Sequence, residues 1–150
     1  MVQFNAPSLA LTESKQEIET AKHAINRISK KTKRKICLNL CFGDVSNRID
    51  EFMDFKIDIL GIDFISTKIE NLEENNIDKT LLCGIIDAQN TKLETKTELL
   101  QIINNINKKL NPPQIAITNN RDFEFLPKKF AERKLRNFTS ASKYIQRRLQ

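Results

Sequence analysis

Tryptophan is absent from this chain, and tyrosine and histidine occur once each. Glycine occurs three times in 150 residues, as Gly43, Gly61 and Gly84. No GxGxxG segment follows any strand-like stretch, so a phosphate-cradling loop is not expected. The single histidine, His23, lies in a helical pattern and reads as an exposed or half-buried structural residue. Cys37, Cys41 and Cys83 are an odd number and form no CxxC pair, which excludes a standard zinc knuckle and a disulfide framework. Reduced thiols in a cytoplasmic protein are the expectation. No apolar run approaches the roughly 18 residues of a membrane span. The opening MVQFNAPSLAL lacks the basic start and long apolar stretch of a secretory signal.

What is present describes a globular chain. Hydrophobic residues make up 39% and charged residues 29%, a balance that favours a packed core over disorder. The length suits one domain, residues 1–150. The formal net charge is +6. That raises an acidic partner such as nucleic acid, and the helical stretch 127–149, with Lys128, Arg133, Lys134 and Arg147 among its cations, could track phosphates. Coding bias can produce the same lysine-rich composition, and a solvated helix face explains the stretch equally simply.

Short apolar segments alternate with helical patterns. Strands are predicted at 2–5, 35–41, 57–63, 80–87 and 114–119. Helices are predicted at 12–30, 47–54, 67–75, 95–109 and 127–149. The first would bury Ile18, Ala21, Ile25 and Ile28, with Ser14 and Glu17 in capping-box spacing. Thr95 and Glu98 repeat that spacing before Leu99, Ile102, Ile103 and Ile106. The last helix starts at Pro127 and aligns Ala131, Leu135, Phe138, Ala141 and Ile145.

Five β-α units without a tight hairpin signal predict an α/β fold with a parallel sheet and right-handed crossovers. Parity within the strands refines this. Ile36, Leu38 and Leu40, then Leu60 and Ile62, then Leu82 and Ile86 form one apolar edge. The other edge ends in polar residues at each C-terminal tip: Asn5, Asn39 and Cys41, Asp63, Asp87, Asn119 and Arg121. Apolar outside and polar in the mouth is the pattern of a partial (β/α) TIM-type barrel.

The segments VQFNAPSLAL, LNLCFGD, DILGIDF, LCGIIDAQNTKLET and NNRDFEFLPKKFAERKLRNF, in this order and spacing, resemble the C-terminal part of the cobalamin-independent methionine synthase family. The resemblance spans residues 2 to about 146 and implies the last five β-α units of a zinc-dependent catalytic barrel. Such a barrel transfers methyl from methyltetrahydrofolate to homocysteine. The family's motifs are altered here. Asn5-Ala6-Pro7-Ser8 stands where it has an acidic pair. Asn39-Leu40-Cys41 replaces a His-x-Cys zinc pair, and Asp63 replaces a zinc-binding Glu. Asp87-Ala88-Gln89 replaces Asp-x-His, and Arg121 falls where the last zinc cysteine belongs. The resemblance thus implies vestigial substrate positions at Asn5, Asp87 and Gln89. It implies vestigial metal positions at Cys41 and Asp63. Zinc is not expected, because a guanidinium beside the ion is unfavourable; Arg121 is expected instead to pair with Asp63 or Asp87.

A full barrel needs about 200 residues or more, so five units leave two open strand edges. A second copy, or a chain supplying the missing units, is the expected cover. Three functions follow: a non-catalytic, methionine synthase-like binding or assembly partner; a subunit of a split methionine synthase; or a basic protein bound to nucleic acid or the ribosome.

Overall fold

The computed structural model describes residues 1–149, the side chain of residue 149 excepted. Five strands, β1 (Val2–Asn5), β2 (Ile36–Leu40), β3 (Ile59–Asp63), β4 (Thr80–Ile86) and β5 (Ile115–Asn119), form one sheet in the order β1-β2-β3-β4-β5. Every neighbouring pair is parallel. Helices α1 (Pro7–Leu11), α2 (Lys15–Ser29), α3 (Ile49–Met53), α4 (Lys96–Leu110) and α5 (Lys128–Leu149) lie between and after the strands. Sequential order with parallel pairing is the partial-barrel topology, and the expected fold class is correct.

Register explains the two faces. Phe4, Leu38, Leu60, Leu81 and Ile115 lie side by side across the sheet, and Leu40, Ile62, Cys83 and Ile117 form the next row. Most of these side chains are fully buried. Burying each such side chain contributes about 1.5–3 kcal/mol. They join Ile18, Ile25, Leu99, Ile103, Ile106, Ala141 and Ile145 of the helices in one core cluster. The opposite face carries Gln3, Cys37, Ile59 and Thr80, then Asn5, Asn39, Gly61, Leu82 and Ala116. Several of these are half-buried or exposed.

Leu82 therefore belongs to the inner face, not to the apolar outer edge expected for it. Leu81 and Cys83 take the outer places, and a register shift between Gly84 and Ile86 turns the end of β4 so that Ile85 and Ile86 are both buried. Asn39 packs across Gly61, where any Cβ would overlap its carboxamide.

The helices also depart from expectation in places. α1 was not anticipated. Residues 67–75 contain only a 3₁₀ turn, Ile69–Leu72. Ile28 and Leu135 are exposed, being the outermost members of their apolar stripes. Thr95 and Glu98 complete a capping box. Ser14 accepts from the Glu17 backbone, while the Glu17 carboxylate goes to Thr12. Among the described residues no helix is long and apolar enough to cross a membrane.

Candidate functional site

Parallel strands deliver their C-terminal ends to one rim. The loop after β5 crosses that rim to meet the loops after β1 and β2. Together they line a cleft of about 400 Å³ with Pro7, Ser8, Leu11, Cys41, Phe42, Arg121, Asp122, Glu124 and Phe125. The meeting of first-strand and last-strand loops is what a curved, barrel-like sheet produces and a flat one does not.

Arg121 and Phe42 form the centre of the rim. The Arg121 guanidinium lies 3.9 Å from the centroid of the Phe42 ring. Phe42 has φ of 76°, a left-handed conformation that is strained for a bulky side chain. With the Gln89 carboxamide oxygen turned to the guanidinium, it lies 2.5 Å from Arg121 Nη2 and 3.2 Å from Nε. Arg121 Nη2 is also 4.0 Å from Asp63 Oδ2, a long ion pair.

Asp63 is fully buried at the end of β3. Its Oδ1 accepts from the backbone N–H of Ile65 at 2.9 Å and of Ser66 at 3.2 Å. Its Oδ2 accepts from Ser66 Oγ at 3.0 Å and Asn120 Nδ2 at 3.4 Å. These bonds are the compensation a buried carboxylate needs.

Asp87 is turned away from Arg121. Its carboxylate accepts from the Gln89 backbone N–H at 2.8 Å and from Asn90, closing its own loop. Of the two ion-pair partners expected for Arg121, only Asp63 is met. Asn5 sits at the end of β1, exposed, and accepts from Gln3 Nε2 at 2.8 Å and Asn39 Nδ2 at 3.2 Å. The inner face there is an amide network without a carboxylate.

Burial pushes the Cys41 thiol above its ordinary range. A backbone hydrogen bond opposes this, the Asp122 and Asp63 carboxylates reinforce it, and Arg121 opposes it weakly. Cys41 is therefore a neutral thiol at neutral pH, not a thiolate. Zinc takes three or four thiolate, imidazole or carboxylate ligands. Here Asp63 is engaged by four hydrogen-bond donors, and a guanidinium stands beside it and Cys41. These residues do not fit a zinc ion. Among the described residues, no group of three or more His, Cys, Asp or Glu side chains is placed to hold a metal.

Sequence reasoning missed the polar groups behind the rim. Asn120 is almost fully buried; its Oδ1 accepts from the Ala88 N–H at 2.9 Å and its backbone N–H donates to Ile86 O at 2.9 Å. Lys134, expected among the phosphate-tracking cations of the last helix, is 1% exposed. Its Nζ donates to Glu94 Oε1 at 2.9 Å and to the Asp87 carbonyl at 2.5 Å. Glu94 Oε1 also accepts from the Asp87 N–H at 3.0 Å. The pair fixes the loop that presents Gln89. Its signal in the sequence was Lys134 itself, which falls three residues after Ala131 and seven before Ala141 on the apolar stripe.

Known proteins supply the family. The model for "Cobalamin-independent synthase, N-terminal domain" matches residues 1–111. The chain is 26% identical to the methionine synthase of Saccharolobus solfataricus over 152 aligned residues, covering 99% of this chain and 45% of that protein. It is 26% identical to the methionine synthase of Pyrococcus furiosus, covering 99% of this chain and 44% of that one. A B12-independent methionine synthase structure from a Shewanella species, in complex with selenomethionine, superimposes with a TM-score of 0.76 at 17% identity. That alignment covers 98% of this chain and 48% of the other, and it supports the fold.

The chain thus spans rather less than half the length of the curated relatives it matches. The expected assignment to the C-terminal part is corrected by the N-terminal-domain match. Alternating β-α units with polar tips recur in any parallel barrel segment, so that rhythm does not distinguish one part from another. The zinc and substrate correspondences drawn from the C-terminal motifs lose their basis with it. On these grounds the chain belongs to the cobalamin-independent synthase family, matching its N-terminal-domain description.

Proposed function

We propose that this chain is a non-catalytic, methionine synthase-like half-barrel that assembles through its two open sheet edges. The observation that carries this is the character of β1 and β5. Each pairs with one neighbour only, and neither strand contains a charged residue or a proline. Edge strands that must stay free are normally blunted by those devices. Beside β5, an apolar cleft of about 370 Å³ lined by Ile103, Ile115, Ile117 and Ile145 continues the unprotected surface.

The rim supports the non-catalytic part. A methyl transfer to a thiol needs the substrate's thiol activated to a thiolate, and no cluster of metal-ligating side chains is placed to do so among the described residues. Asp63, Asp87, Gln89 and Arg121 are engaged with the protein's own groups. No free general base remains among them.

The second reading, a subunit of a split methionine synthase, is favoured by the roomy rim cleft and by the names of the relatives. A methyl-transfer assay separates the two. The chain, alone and with cell extract that can supply missing units, together with zinc, methyltetrahydrofolate and homocysteine, is expected to give no methionine above the background without the chain. Turnover that scales with the chain's concentration would establish the split-enzyme reading instead.

A further inference from the structure

We propose that the exposed face of α5 binds the phosphodiester backbone of duplex nucleic acid, independently of how the half-barrel assembles. The starting point is how charge is distributed. Residues 128–149 hold eight of the chain's 25 Lys and Arg and one of its 19 Asp and Glu. That segment carries +7, and the other residues together carry −1. A coding bias toward lysine would spread the excess along the chain; here it gathers in two places, this helix and the short run of residues 30–35, which carries +5.

Within the helix the cations are sorted again. Lys129, Arg133, Arg136, Lys143 and Arg147 follow one another at steps of four, three, seven and four residues, with Ser140 filling the gap. Steps of three and four return to the same side of an α-helix. All six residues are exposed, whereas Lys134, Ala141 and Ile145 on the opposite side are buried. The result is a rigid line of five positive charges about 27 Å long, at about 1.5 Å per residue. Glu132 is the helix's single anion, and it meets Arg136 at 3.5 Å on the exposed surface.

A close-set row of cations suits a close-set array of anions, and duplex nucleic acid presents one charge per roughly 1.7 Å of axis along its two winding strands. The stripe contains no aromatic side chain on which a base could stack, so recognition is of the backbone and independent of sequence. An anionic membrane is the poorer match. A helix that lies in a bilayer surface needs a free apolar face, and that face of α5 is buried in the core.

The test is fluorescence anisotropy of a labelled 20-base-pair duplex with the full chain, titrated at salt concentrations from about 50 to 200 mM. Five phosphate contacts predict a slope of about −4.5 in log affinity against log salt. Replacing Arg133, Arg136 and Arg147 together by Gln should weaken binding at least tenfold at the lowest salt and reduce the slope to about −2. Replacing the same three by Lys should preserve both, which also reports that the helix still folds. A second exposed basic segment, residues 30–35, provides the comparison: Lys30→Gln, Lys31→Gln and Lys33→Gln should leave affinity within threefold. The inference is overturned if the duplex fails to bind at the lowest salt or the 30–35 variant loses as much as the α5 variant. It is equally overturned if vesicles containing phosphatidylserine bind the chain while the duplex does not.

Discussion

Arg121, from the loop after the last strand, stacks on Phe42, from the loop after the second, with 3.9 Å between guanidinium and ring centroid. These residues are far apart in sequence and come from non-adjacent strands, so their contact reports directly on the curvature of the sheet. At this contact Phe42 has a left-handed backbone conformation. A double-mutant cycle with Arg121→Ala and Phe42→Ala, read by chemical denaturation, should give a coupling of about 0.5–2 kcal/mol. Additive losses would mean that the two loops do not meet in solution.

The buried Lys134–Glu94 pair should be a sensitive point. Removing one member of a buried ion pair strands the other, at about 3–5 kcal/mol. Lys134→Met is therefore expected to destabilise the chain by several kcal/mol. The double variant Lys134→Met with Glu94→Leu should be the milder of the two, since no charge is left unpaired. Thermal denaturation of both variants checks the order.

Thiol burial makes stability depend on alkaline pH. Burial pushes Cys37 up to about 11 and raises Cys41 and Cys83 as well. In the unfolded chain these thiols release their protons near pH 9, while the folded chain keeps them. The unfolded state is then favoured as pH rises, so the stabilisation is complete below about pH 9 and is lost progressively toward about pH 11. Denaturation midpoints should fall across that window, and Cys37→Ala should reduce the fall.

Zinc content follows from the rim chemistry. A lone Cys41 and an Asp63 saturated by donors leave no adequate ligand set beside Arg121 among the described residues. Elemental analysis of chain purified without chelator should find well below one zinc per molecule. Stoichiometric metal that survives dialysis would mean that the rim rearranges to coordinate it.

Much of this architecture was legible in the sequence. All five strands lie within two residues of their expected bounds, because period-two alternation in short β-branched runs is a local signal. The polar tips could be assigned to one rim for the same reason. What escaped was set by contacts between distant residues. Asn120 bonds to Ala88 and Asp63, 32 and 57 residues away, and nothing near Asn120 announces that. Lys134 looks like part of a solvated face until Glu94 is folded against it. The five-residue helix α1 is too short for a periodicity to show. Leu82 was placed on the wrong face because the irregularity at Gly84 breaks the alternation beyond it.

Assembly is the claim from which the proposed role follows, and the mass of the chain in solution tests it most directly. Sedimentation equilibrium across the micromolar range should give a weight-average mass that climbs above the 17.4 kDa of one chain as concentration rises. A mass fixed at 17.4 kDa at every concentration would show that β1 and β5 do not pair with a second copy, and would contradict assembly of the chain with itself.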